Sequence, residues 1–211
     1  MSRTGSSAFI RGCSLLGVLW AANSYGQADT VRRDSAKQAT AGAPTVIRLP
    51  AELRNYRLTD SLKLGTSDNA PVKYTYRRDH DSITVFLSPL GPSVASALLK
   101  GEDSTAEAQK PVERLRDSFI DADRRGDLRG FRSLFQGADN VSINGHRVHG
   151  YAFAGAYSNR ISAGVQYVYY GVYVLRDRTF RIRSDANVQM AVNADAPDFA
   201  KKLIAAVDAA P

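Results

Sequence analysis

The chain has 211 residues, 44% of them hydrophobic, with 28 basic residues against 21 acidic ones and a formal charge of +7. That composition excludes a wholly disordered polyampholyte and suffices for one ordinary domain with its own core. A single cysteine excludes an internal disulfide and the paired-cysteine metal sites, so stability must come from packing.

The N-terminus carries Arg3 and Arg11, no acidic residue, and the apolar run CSLLGVLWAA from Cys13 to Ala22, too short to span a bilayer as a helix. It reads as a secretory signal peptide, residues 1–28, with small residues at Gly26 and Ala28 for cleavage after Ala28. A retained anchor is the alternative. Lipid attachment is not expected, because Cys13 precedes the apolar run instead of following it. Cleavage leaves 26 basic against 21 acidic residues, a charge of +5. It also leaves no segment of membrane-spanning length, so no transmembrane helix is expected after cleavage and a periplasmic or secreted location is. A mildly basic balance suits anionic surfaces outside the cytoplasm, such as lipopolysaccharide phosphates or acidic glycans, and is also ordinary for a soluble domain.

Residues 29–44 are polar and small and read as a disordered linker, leaving residues 45–211 as a single domain. Thr45 to Leu49 is expected to be a short strand stopped by Pro50, and Tyr56 to Leu64 is only weakly patterned. From Val72 to Ser88, Val72, Tyr74 and Tyr76 alternate with Lys73, Thr75 and Arg77, and Ile83, Val85 and Leu87 repeat the alternation beyond Asp79-His80-Asp81. This predicts a hairpin.

The period then changes. Val112, Leu115, Phe119 and Ala122 share one helical face, with Ser104 to Glu107 as a capping box or a later start near Pro111. Gly126 ends that helix, and Leu128 to Phe135 is expected to add a turn or two more, making a central helix pair. Beyond it, Asn144-Gly145 is the strongest two-residue hairpin signal. Val148 to Tyr157 and Val165 to Leu175 are apolar on both faces and so are expected to be covered on both. Phe180 and Ile182 alternate with Arg181 and Arg183. The chain closes on a helix with Asp195 as cap, Pro197 in the first turn, and Phe199, Leu203 and Val207 as its stripe.

This order predicts an α+β domain, an antiparallel sheet with helices on both faces and a C-terminal helix after a long strand meander. In AYSNRISAGVQYVYYGVYVLRDRTFRIRSD and the closing DAPDFAKKLIAAV the layout resembles the Mog1/PsbP-like α/β/α sandwich. The chain also looks like small exported proteins of Gram-negative bacteria. The resemblance implies an accessory or binding protein in place of a common enzyme, and layout alone does not transfer function.

Few residues suggest chemistry. His146 and His149 sit three apart on an expected strand, which sends them to opposite faces with Cα atoms about 10 Å apart, so one metal cannot take both. His80 between Asp79 and Asp81 reads as a polar turn and, alternatively, as an acid/base group. Asp121 and Asp123 diverge on the helix. Nucleophile elbows, surviving cysteines and phosphate-cradling glycine loops are all missing from the sequence.

Two features remain as ligand-binding candidates. Tyr151, Tyr167 and Tyr169, with Tyr157, Tyr170 and Tyr173, are either core residues or a stacking platform. Arg176, Arg178, Arg181 and Arg183, with Arg124, Arg125, Arg129 and Arg132, form the densest basic groups and suit phosphate or carboxylate, or are a solvated face. The reading is therefore a non-catalytic envelope protein of unassigned role, with no catalytic or metal residue and no cofactor. Its expected partner is an anionic envelope component or another envelope protein, contacted through the Arg176–Arg183 hairpin, with no nucleic acid. The alternatives are a small secreted hydrolase or metal-dependent enzyme using His80 with a neighbouring Asp, and a protein–protein interaction subunit whose Tyr-rich strands a partner covers.

Overall fold

In the computed structural model the described residues are 47–67, 69–99, 104–143, 145–159 and 164–209. The expected signal peptide, linker and the first residues of the expected Thr45–Leu49 strand lie outside them. Ile47 to Pro50 is irregular, yet Ile47 and Leu49 pack on the core.

Nine strands form one antiparallel system: β1 (Glu52–Leu53), β2 (Tyr56–Lys63), β3 (Val72–Arg78), β4 (Asp81–Pro89), β5 (Leu128–Ala138), β6 (Val141–Ile143), β7 (His146–Asn159), β8 (Val165–Leu175) and β9 (Arg178–Ala186). Their order is β1-β2-β3-β4-β9-β8-β7-β5, with β6 on β7. Among the described residues three α-helices complete it: α1 (Pro92–Leu99), α2 (Thr105–Arg125) and α3 (Ala196–Asp208), the last entered through a π-turn at Ala191–Asp195. The fold class is α+β, as the alternation of periods implies, with α3 following the strand meander.

The strands follow from their patterning. In the β3–β4 hairpin Tyr76, Ile83, Val85 and Leu87 are buried, while Lys73, Thr75, Arg77, Ser82 and Thr84 leave the other face. Asp79, at φ 50°, makes the turn, a conformation that Asp tolerates through its short polar side chain. Gly145, at φ 84°, closes β6 onto β7 with Ile143 opposite His146; Asn144 falls outside the described residues.

Two layers of helix cover the sheet unequally. α3 lies against β8, β6 and β9 on one face, where Phe199, Leu203, Ile204 and Val207 are buried, and Phe199 meets Tyr56 and Tyr76 edge-on at 5.5 and 5.0 Å. On the opposite face α2 lies over β5, β7 and β8. There Phe119 stacks on Phe131 at 5.4 Å and packs on Phe153 and Tyr157. The two-faced strands Val148–Tyr157 and Val165–Leu175 are thus covered by helices of their own chain.

Three expectations need correction. Leu128–Ala138 is a strand and not a continuation of the helix, so the expected central helix pair is α1 followed by α2. The spacing of Leu128, Phe131 and Phe135 imitates a helix because register shifts between Arg129 and Arg132 and between Ser133 and Phe135 put the strand out of step with a two-residue period. Second, α2 starts at Thr105 and carries Pro111 inside it. The proline removes one backbone bond, which the burial of Ala108, Val112 and Phe119 on the same face offsets. Third, neither Ser104 nor Asp195 caps its helix through its side chain; Asp195 is engaged elsewhere. Gly126 does end α2, in the left-handed conformation at φ 77°, its N–H donating to Asp123.

Candidate functional site

The four hairpin arginines do not form one group. Arg176, at φ 56° in the β8–β9 turn, donates to the Asp208 carbonyl at 2.8 Å, at the negative end of α3. Arg178 points to the α3 side near Tyr74 and lies 3.4 Å from Asp177. Arg181 and Arg183 leave the opposite face. Arg183, its side chain 13% exposed, is held bidentately by Asp185 at 2.7 and 2.9 Å, and that carboxylate keeps its guanidinium charged despite burial.

The other basic group disperses as well. Arg124 pairs with Asp121 at 3.3 Å and Arg125 with Asp127 at 2.9 Å. Arg129 and Arg132 lie on β5.

The tyrosines are divided between faces too. Tyr151 is on the α2 side, accepting from Gln136 at 3.4 Å, while Tyr167 packs against the α3-side core and Tyr169 is buried there. No stacking platform results, since Tyr169 has 1% of its surface exposed. Tyr169 instead joins a buried network: the Tyr173 hydroxyl donates to Asp139 Oδ2 at 2.5 Å, which leaves its oxygen to accept from the Tyr169 hydroxyl at 2.8 Å. Lys201 of α3 neutralises the other Asp139 oxygen at 3.2 Å. Burial pushes both phenols well above their usual range. Gly150 and Gly171 leave room for the rings, since a Cβ at Gly150 would stand 2.4 Å from the Tyr173 ring and one at Gly171 would stand 2.6 Å from the Tyr169 hydroxyl.

The histidines go to three environments. His146 Nε2 lies 3.2 Å from Asp208 under α3, and His149 Nδ1 lies 3.3 Å from the Thr105 hydroxyl on the α2 side, so the two leave opposite faces of β7. His80 is exposed in the β3–β4 turn. Its neighbour Asp81 is taken by Arg78 at 3.2 Å, and Arg78 also binds Asp195 at 2.6 Å and covers the Tyr56 ring at 4.4 Å. Among the described residues no three His, Cys, Asp or Glu side chains gather as a metal site would require.

What converges is the polar half of the early hairpin. Thr59, Asp60, Lys73, Thr75, Arg77, Ser82 and Thr84 line a concavity of about 490 Å³ on the face that α2 leaves behind when it stops at β8. Strand register sets the rows. Arg57, Arg77, Ser82 and Asp185 run across four strands; Asp60, Thr75, Thr84 and Arg183 make the next row; Leu62, Lys73, Phe86 and Arg181 make the third. Along β3, Lys73 and Arg77 are therefore about 14 Å apart with Thr75 between them. Neither Lys73 nor Arg77 has a carboxylate partner among the described residues. Their signal was present in the alternation itself: residues two apart share a face, whereas clustered arginines close in sequence do not.

No family model and no curated sequence matches the chain. It is similar to the solution structure of cyanobacterial PsbP (CyanoP) from Synechocystis sp. PCC 6803 at 14% identity, over 74% of this chain and 79% of that one, with a TM-score of 0.41. The fold class rests on the sheet order and helix placement described above.

Proposed function

We propose that the chain is an exported, non-catalytic binding or accessory protein of the cell envelope, periplasmic or secreted, that holds an anionic partner on the open face of β2, β3, β4 and β9. The observation that carries the reading is the pair of unneutralised cations, Lys73 and Arg77, set in a hydroxyl-lined concavity. Arg181 lies on the same face beyond Lys73 and Phe86, and Arg57, paired with Glu52 at 3.5 Å, lies beyond Arg77. The reading keeps the anionic partner expected from the basic hairpin but moves its centre from Arg176 and Arg178 to the β3 row. The export element rests on the sequence of residues 1–28; among the described residues no helix is long and apolar enough to cross a membrane.

The test is calorimetric titration of the purified protein with dextran sulfate at low and at physiological salt. Binding that weakens with salt and is lost in the Lys73→Ala/Arg77→Ala double variant supports the reading. Binding indifferent to those two substitutions, or no binding at low salt, overturns it.

A further inference from the structure

Resting on that reading, we infer that the open face takes a chain of carboxylate-bearing sugars and not a compact phosphate cluster. A compact polyphosphate is best met by cations that converge on one point, and here they do not converge. Lys73 and Arg77 stand two side-chain positions apart on β3, about 14 Å, with Thr75 between them and Thr84 directly opposite Thr75 on β4. The centre of the site is therefore hydroxyls, which both donate and accept, and the charges stand at its ends.

Asp60 sharpens the choice. It lines the same concavity, faces Thr75 across β2 and β3, and has no ion pair among the described residues. A bare carboxylate beside the hydroxyl row repels a phosphate cluster, whereas it accepts hydrogen bonds from neutral sugar hydroxyls. A sugar chain crossing the strands places neutral hydroxyls over Thr75, Thr84 and Asp60 and brings its carboxylates to Lys73 and Arg77.

The probes are oligogalacturonate, its methyl ester and inorganic tripolyphosphate, titrated into the purified protein and into two variants. Lys73→Ala/Arg77→Ala removes the end charges; Thr75→Val/Thr84→Val removes the central hydroxyls while keeping β-branched side chains in the strands. The expected result is that oligogalacturonate binds, its methyl ester does not, and the threonine variant weakens oligogalacturonate about tenfold. Tripolyphosphate, too short to reach both Lys73 and Arg77, binds more weakly and is affected less by that variant. Tripolyphosphate binding as tightly as the sugar acid, with the threonine variant indifferent to both, overturns the sugar inference and leaves the anionic reading standing. Failure of every anion to bind overturns both. Melting curves of the two variants within a few degrees of the parent keep each loss attributable to the surface.

Discussion

The two halves of the sheet have the same hydrogen-bonded backbone and opposite relations to water. In β7 and β8 both faces are closed, one by α2 through Phe119 and the other by α3, and the residues alternate between two cores. In β2, β3 and β4 the described residues close only the α3 side, and the far side carries Lys, Arg, Thr and Ser. Continuous apolar runs and strict alternation thus mark where the second helical layer reaches and where it stops. The closed half supplies stability, which frees the open half to carry charge.

Substituting Phe119 by Ala should cost about 3–5 kcal/mol in chemical denaturation, because it empties the junction of α2 with Phe131, Phe153 and Tyr157. A loss below about 1 kcal/mol would erase the distinction between the halves. Alkaline titration probes the same layer from another side. Burial raises Tyr157 and Tyr170 to about 12. A phenol whose folded pKa lies above its unfolded value contributes stability in full below about pH 10 and loses it as pH rises through the folded value. Melting temperature should therefore fall between about pH 10 and 12, in step with phenolate absorbance.

Gly150→Ala should cost about 1–3 kcal/mol, with near-ultraviolet dichroism reporting displaced tyrosines, since the added Cβ meets the Tyr173 ring. Asp195→Ala should cost about 1 kcal/mol, because Arg78 keeps Asp81 and the pair is partly solvated. At the bottom of the scale, Thr84→Val on the open face should change stability by less than about 0.5 kcal/mol. A larger loss there would mean that the open face is a second core and not a binding surface.

How much of this was legible in the sequence differs between elements for physical reasons. The β3–β4 hairpin, β9 and α3 each bury one clean period against one neighbour, so alternation or a helical stripe identified them, and β8 showed as a continuous apolar run because both its faces are covered. β5 resisted because its two register shifts break the period, and α1 because Ser and Ala in PSVASALL leave no stripe to read. The arginine cluster misled for a related reason. Nearness along the chain counted Arg176 to Arg183 together, whereas the turn and the strand pleat send them to three destinations. The histidines were read correctly as diverging because only strand geometry was needed. The polar face of β3 and β4 showed in their alternation, whereas the rows on it depend on the register across β2, β3, β4 and β9, which no local pattern encodes.

The join between β4 and β9 brings residues 81–89 against 178–186, and the Arg78–Asp195 bond fastens partners 117 positions apart. Chains dominated by such distant pairings fold slowly, since loop-closure entropy is spent before the contacts form. Until the last third of the chain is available, β4 is an unsatisfied edge and Tyr76 lacks Phe199. A nascent copy therefore stays open and extensible until synthesis is almost complete, then closes with its final strand and helix. C-terminal truncations should accordingly aggregate as extended species instead of accumulating as a smaller native fold.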